Sequence, residues 1–434
     1  MSITLSHLTG IIKGEIHLTA SKSESNRALI IQALCDDAFE IENLSISNDT
    51  KVLKDLLNES LQEEALRAVK GNIKRSDDAP DNHQLTLSVN LAGTAMRFLT
   101  AYLSIQHGVI VLTGAQRMKE RPIKVLVDAL KQIGADISHQ EKEGFPPLKI
   151  SGKKLNGDKV IIDGGISSQY ISALLMIAPK LENGLSIEYE GEVISKPYID
   201  MSIKMMRYFG AAVQWEGNNL KVKPGNYKAK NFKVEADWSA ASYWYSMVAL
   251  AKEADITLFG LKQKSLQGDV VVQEIYKLLG VVSEFVEGGI RLTKNSGFRI
   301  QNPELNIDFV NSPDIAQTVA VTCAALNVKA RLTGLKTLRI KETDRIAALQ
   351  AELTKLGFSV DVENDDVLIN SLPFGSAQGA IAMASLETYY DHRMAMAFTP
   401  LALQNSIIIE DEDVVAKSYP DFWKDLESVG FNKL

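Results

Sequence analysis

The chain has 434 residues, with 47 Lys and Arg against 54 Asp and Glu, for a formal net charge of −7. That length is enough to bury a core without metal or disulfide staples, and the acidic balance argues against general nucleic-acid binding, which needs a basic domain or stripe. The two cysteines, Cys35 and Cys323, stand far apart in apolar stretches; this excludes a zinc ribbon or a redox dithiol and reads as two buried thiols in a reducing compartment.

From the N-terminus, MSITLSHLTGIIKGEIHL alternates like strands and lacks the features of a signal peptide, so a cytoplasmic location is expected. The longest strongly apolar run, Tyr170–Pro179, is too short to span a bilayer. Further along, six segments share one design, a small or polar opening followed by an apolar helix. They begin at Ser21, Ala92, Ser167, Asp237, Ser312 and Asp391, 70–79 residues apart. A second helix series ends at Gly134, Gly210, Gly280, Gly357 and Gly430, where glycine past the last turn predicts a left-handed C-cap. Between them lie strand-like runs such as LTLSVN, HGVIVLTG, LSIEYEG, ADITLFG and SIIIED. Two interleaved series with one period predict about six α/β units, grouped three and three as two similar halves. The first helix of each unit is apolar nearly all round and is expected inside its half.

The helix openings carry the chemistry. Ser21-Lys22-Ser23-Glu24 reads as a capping box, with Arg27 just beyond. Ala92-Gly93-Thr94 precedes Arg97, and Ser167-Ser168-Gln169 opens the third unit. Helix N-termini with added hydroxyls and cations suit oxyanions, although each one alone also reads as plain capping. In QRMKERPI, Pro122 pushes Arg121 toward extended geometry. If the whole segment is extended, Arg117, Lys119 and Arg121 share a side and invite an anion. Ser312-Pro313-Asp314 places proline at the first helical position. In RIKETDR, Lys341 and Arg345 sit four apart with Glu342 between them, reading as one helix face and as either a solvated ion-pair cluster or a site. DHRMAM (Asp391, His392, Arg393) and KSYPDF (Lys417) complete the set. The Gly152–Lys159 stretch has P-loop glycine spacing but Asp158 where lysine is required, and no dinucleotide fingerprint, clustered histidine ligands or nucleophile elbow occurs.

Together SKSESNRAL, NLAGTAMRFL, RMKERPI, SSQYISALLM, VISKPYID, SPDIAQTVA, RIKETDR, DHRMAMAF and KSYPDFW resemble, in order and spacing, the 5-enolpyruvylshikimate-3-phosphate (EPSP) synthase family along the whole chain. The resemblance implies an inside-out α/β fold of two domains, each with three βαβαββ units. Residues 1–20 with 237–434 would form one domain and 21–236 the other, with the active site in the cleft between them. It implies transfer of enolpyruvyl from phosphoenolpyruvate to the 5-hydroxyl of shikimate 3-phosphate by addition and elimination, with no metal or organic cofactor, in a monomer. Carried over by motif, Glu342 is the proton donor and acceptor, Asp314 orients or deprotonates the 5-hydroxyl, and Lys22 protonates departing phosphate. His392 supports the site by hydrogen bonding. Phosphoenolpyruvate would be held by Lys22, Gly93, Arg121, Gln169, Arg345, Arg393 and Lys417. Shikimate 3-phosphate would be held by Ser23, Arg27, Ser167, Ser168, Gln169, Ser195, Tyr198, Asp314 and Lys341. Leu91, Phe98 and Thr337 depart from the family pattern, which puts local packing and one substrate contact in question. Gly93 matches the glycine of glyphosate-sensitive members, which implies that glyphosate competes with phosphoenolpyruvate. The rivals are the sister transferase acting on UDP-N-acetylglucosamine, whose loop cysteine has no counterpart near Arg117–Arg121, and a non-catalytic anion-binding relative.

Overall fold

A computed structural model describes residues 1–71, 85–165, 167–191, 193–298, 304–372 and 383–434, without the side chains of 61–71. The chain divides into two compact units. Met1–Ser21 with Glu235–Leu434 forms one, and Lys22–Val234 the other.

One local plan recurs. Strand Leu85–Ser88 runs parallel to Gly108–Thr113, and helix Gly93–Ser104 connects them. Helix Lys124–Gln132 then leads into the hairpin Asp136–His139 and Leu148–Gly152, whose second strand pairs antiparallel with Gly108–Thr113. This βαβαββ plan produces five four-stranded sheets among the described residues, three in the first unit and two in the second. In the second unit the remaining pair is Ile41–Glu42 parallel to Phe232–Lys233. The N-terminal strands complete sheets of the first unit. Ile3–His7 lies between Ile407–Ile409 and Phe431–Lys433, antiparallel to both, and Ile11–His17 runs parallel to Glu253–Phe259.

The sheets wrap helices rather than the reverse. Every residue of Gly93–Ser104, Ala316–Ala325 and His392–Phe398 is buried, as an all-round apolar helix requires. In the first unit, helices Trp238–Leu250, Ala316–Ala325 and His392–Phe398 pack on one another. Their buried hydroxyls pair across the seam, Ser242 with Thr318 at 3.3 Å and Ser246 with Thr322 at 2.7 Å, so no polar cost is left in the core at these positions. The five C-cap glycines, Gly134, Gly210, Gly280, Gly357 and Gly430, all have φ between +86° and +99°. This left-handed turn releases each outer helix into its hairpin.

The cysteine reading needs one correction. Cys323 is fully buried, but Cys35 is partly exposed, because it follows the last turn of helix Lys22–Ala33. No described helix is long and apolar enough to cross a membrane.

Candidate active site

In the first unit, a knot of charge forms where the openings of helices Arg345–Lys355 and His392–Phe398 meet the 3-10 turns Pro313–Ile315 and Glu412–Lys417. Pro313 starts the turn Pro313–Ile315, which presents Asp314. Asp344 ends the preceding irregular stretch by capping helix Arg345–Lys355, accepting from the amides of Ile346 and Ala347 at 3.1 Å each. The helix therefore begins at Arg345. Lys341 and Arg345 do not share a helix face, contrary to the sequence expectation; the cap fixes the boundary between them. They still converge, because each donates to Asp314 Oδ1, at 3.4 and 3.2 Å.

Arg345 is the hub. Its Nε donates to Asp391 Oδ2 at 2.7 Å and its Nη2 to Asp391 Oδ1 at 3.2 Å. Nη2 also donates to Glu342 Oε2 at 2.8 Å. Lys417 Nζ reaches the other Glu342 oxygen at 2.7 Å. Arg393 donates from Nη1 to the Asp314 carbonyl at 2.9 Å and pairs through Nη2 with its carboxylate at 3.2 Å. Asp391 also accepts from the Arg393 amide at 2.9 Å and so caps its own helix. His392 is buried, with Nδ1 3.5 Å from Asp391 Oδ1.

Burial pushes the Asp314 carboxyl up, but Arg393, then Lys341 and Arg345, outweigh it and hold the group well below the ordinary range. Burial lowers Lys341, and Asp314 opposes that. Burial likewise disfavours the Arg345 charge, yet Asp391 and Glu342 overcompensate and raise it. Asp314 is thus fixed as a carboxylate, an acceptor rather than a proton donor.

The second unit gathers the hydroxyl-rich openings. Arg27 is 2% exposed. It donates to Ser202 Oγ at 2.7 Å, Ser172 Oγ at 3.1 Å, the Tyr198 carbonyl at 3.1 Å and the Ser23 carbonyl at 3.0 Å. Burial lowers it to about 10, with Tyr198 and Glu24 opposing. Its guanidinium lies 5.5 Å from the Phe98 ring centroid, so this departure from the family pattern is absorbed as a cation–π contact. Leu91 is exposed, and the buried Thr337 hydroxyl makes no hydrogen bond among the described residues. Ser195 precedes helix Lys196–Tyr208 at φ +52°, three residues before Tyr198. Ser167 caps the helix bearing Ser168 by accepting from the Gln169 amide at 3.4 Å. Gln169 Nε2 donates to Thr94 Oγ1 at 3.1 Å, joining the second and third openings. A Cβ on Gly93 would sit 2.6 Å from Nη1 of both Arg97 and Arg121, so two guanidiniums flank that glycine. Lys22 pairs with the buried Asp49 at 3.4 Å.

The segment before Pro122 is not extended. Gln116–Lys119 forms one helical turn, because proline restricts only Arg121, the residue before it. Arg117 pairs with Glu120 at 3.0 Å and Lys119 with Glu141 at 2.6 Å. The inference of three aligned cations on one side therefore fails, and only Arg121 stands beside Gly93. Sequence reasoning also missed Asp49 as the partner of Lys22. It placed Asp391 in a motif without seeing it as the partner of Arg345. Its position as an N-cap was the available signal.

The family model for EPSP synthase (3-phosphoshikimate 1-carboxyvinyltransferase) matches residues 8–426. The chain belongs to the EPSP synthase family. A 3-phosphoshikimate 1-carboxyvinyltransferase of Bacteroides fragilis is 46% identical over 422 residues, covering 97% of this chain and 96% of the relative. One from Haemophilus influenzae is 38% identical over 456 residues, covering 98% of each. The solved EPSP synthase of Acinetobacter baumannii has the same fold, with a TM-score of 0.73 at 22% identity and full coverage of both chains. The two-domain, inside-out α/β architecture of EPSP synthases is accordingly that of this chain. Among the described residues, no group of His, Cys, Asp and Glu is arranged to hold a metal ion.

Proposed function

We propose that this chain carries out the reaction of its family, transferring the enolpyruvyl group of phosphoenolpyruvate to the 5-hydroxyl of shikimate 3-phosphate with release of phosphate. The observation that carries the assignment of roles is the convergence of Asp314, Glu342, Asp391, Arg345, Arg393 and Lys417 in one partly buried knot. A transfer of this kind needs a proton delivered to the methylene carbon as the hydroxyl adds to the neighbouring carbon. It then needs that proton type withdrawn from the resulting methyl as phosphate leaves. We assign both transfers to Glu342.

Glu342 rests between two cations, Lys417 and Arg345. The phosphate and carboxylate of phosphoenolpyruvate compete for the same cations. Binding therefore frees Glu342 from its partners as it comes to act. Asp314, held ionised by Arg393, Lys341 and Arg345, accepts a hydrogen bond from the 5-hydroxyl and orients it for attack. Asp314 takes the hydroxyl proton as the C–O bond forms, Lys22 gives one to departing phosphate, and these two balance, while the proton Glu342 withdraws from the methyl replaces the one it gave to the methylene. His392 acts indirectly, through Asp391 beside it.

Arg345, Arg393 and Lys417 of the first unit, and Lys22, Gly93, Arg121 and Gln169 of the second, take phosphoenolpyruvate. Ser23, Ser167, Ser168, Gln169, Ser195 and Tyr198, with Lys341 and Asp314, take shikimate 3-phosphate. Arg27 gives four of its five N–H groups to protein acceptors, holding Ser23 and Tyr198 in place, and its remaining Nη1 N–H serves shikimate 3-phosphate with them. The enzyme works as a cytoplasmic monomer on two small anions. The test is phosphate release from phosphoenolpyruvate with either shikimate 3-phosphate or UDP-N-acetylglucosamine as acceptor. Turnover is expected with the first alone, and turnover with the second alone would reassign the enzyme.

A further inference from the structure

The stretch Ser265–Asp269 contributes no residue to the roles above, yet it is bolted to the opening of helix Trp238–Leu250. Gln267 accepts from the Trp238 amide at 3.0 Å and donates to the Ala236 carbonyl at 2.8 Å. Ser265 donates to Glu235 at 2.7 Å. Two residues beyond Gln267, the buried Asp269 accepts through Oδ2 from the Ser239 hydroxyl, while its Oδ1 meets no hydrogen-bond donor among the described residues. Ser239 in turn accepts from Arg393 Nη2 at 3.3 Å, the nitrogen that also pairs with Asp314 at 3.2 Å.

We infer that Asp269 is a positioning residue for Arg393, acting through Ser239 to fix the guanidinium that receives phosphoenolpyruvate. This rests on the assignment of Arg393 to that substrate. A hydroxyl has one proton. While it points at the Asp269 carboxylate, the oxygen presents only lone pairs to Arg393, and the guanidinium is held from two sides by Ser239 and Asp314. Were that proton free to turn, it would point at a cation.

The same geometry makes the device sensitive to pH. Burial pushes the Asp269 carboxyl up to about 7, and Asp314 and Asp237 push in the same direction, while Arg393 and the Ser239 bond oppose them. Above neutrality Asp269 is an acceptor and Ser239 faces Arg393 correctly. Below it, a protonated Asp269 no longer commits the Ser239 proton, and Arg393 loses the support of Ser239.

The experiment compares Asp269→Asn, Ser239→Ala, the double variant and Arg393→Lys with the parent by steady-state phosphate release between pH 6 and 9. At pH 8, Asp269→Asn and Ser239→Ala are each expected to raise KM for phosphoenolpyruvate about 10-fold, with kcat within about 3-fold and KM for shikimate 3-phosphate unchanged. The double variant is expected to be no worse than the worse single variant. Ser239→Thr, which keeps the hydroxyl, restores the parent value. The gap between parent and Asp269→Asn closes as pH falls below about 7, which cancels the titration of the substrate itself. An unchanged KM in Asp269→Asn, a fall confined to kcat, or additive losses would overturn the inference. If Asp269→Asn does not fold, Ser239→Ala and Ser239→Thr decide it alone. Arg393→Lys separates the two levels. An unchanged KM there removes the role of Arg393, whereas a raised KM with silent Asp269 and Ser239 variants removes only the role proposed for Asp269.

Discussion

The two units share one repeat plan but use their helix openings differently. In the first unit the openings carry opposite charges locked together, with Arg345 bound by Asp391, Asp314 and Glu342. In the second they carry hydroxyls, backbone carbonyls and cations, with Arg27 bound by Ser172, Ser202 and two carbonyls and with no carboxylate among those four partners. The same scaffold therefore supports two kinds of chemistry. Paired acids and bases can exchange partners with an incoming anion and move protons. Hydroxyls and backbone groups hold and orient an anion. On the roles proposed above, the first unit supplies the proton transfers at carbon, and the second supplies recognition together with Lys22 at the departing phosphate.

The sharpest way to break that division is Glu342→Gln. The amide keeps the shape of the site and one hydrogen bond to Arg345 or Lys417 but cannot carry a proton. Turnover is expected to fall about 10²–10⁴-fold, with binding of shikimate 3-phosphate retained. Near-normal turnover in a phosphate-release assay would move the proton transfers elsewhere and dissolve the contrast.

What the sequence disclosed and what it hid follow the same line. The buried helices and the glycine caps were legible because periodicity and a positive φ at Gly134, Gly210, Gly280, Gly357 and Gly430 are local properties. The members of the charge knot were legible too, as unusual residues at repeated openings. Their pairing was not. Arg345 and Asp391 are 46 residues apart and Lys417 and Glu342 are 75 apart, and no local rule says which of 54 acidic residues will meet a given cation. Asp269 was invisible for the same reason, lying in the short 3-10 turn Gly268–Val271 with no periodic signal. In QRMKERPI, proline's restriction reaches back one residue only, and the cap made by Asp344 prevails over the four-residue spacing of Lys341 and Arg345.

If the second unit's opening is held by Arg27 rather than completed by substrate, Arg27→Met should act on stability as much as on binding. Ser172, Ser202 and the carbonyls of Ser23 and Tyr198 would lose their donor in a dry interior, at a cost of about 2–4 kcal/mol. Urea unfolding is expected to show a lower midpoint, together with a raised KM for shikimate 3-phosphate. A variant as stable as the parent would make Arg27 a ligand in its own right.

A smaller displacement tests the edge of the same region. A Cβ at Gly93 would have to push aside the guanidiniums of Arg97 and Arg121, each 2.6 Å away. Both are ends of flexible side chains, so Gly93→Ala should fold. It is expected to raise KM for phosphoenolpyruvate by about 3–10-fold. Glyphosate, expected to compete with phosphoenolpyruvate in the parent, should lose potency in parallel. Inhibition that added phosphoenolpyruvate does not relieve would separate the two ligands.

The smallest effect is also informative, because it asks whether charge alone marks a site. Arg117 and Lys119 carry the same sign as Arg121 and sit within four residues of it, yet each is paired with a carboxylate at the surface. Exposed pairs contribute roughly 0–1 kcal/mol, and neither cation is needed for an anion beside Gly93. Arg117→Ala is therefore expected to leave KM for phosphoenolpyruvate within about 2-fold and the unfolding midpoint nearly unchanged, whereas Arg121→Ala raises KM strongly. Equal losses in the two variants would mean that the helical turn Gln116–Lys119 rearranges on binding and brings Arg117 to the substrate, and the distinction between paired and substrate-facing cations would have to be redrawn along the whole opening.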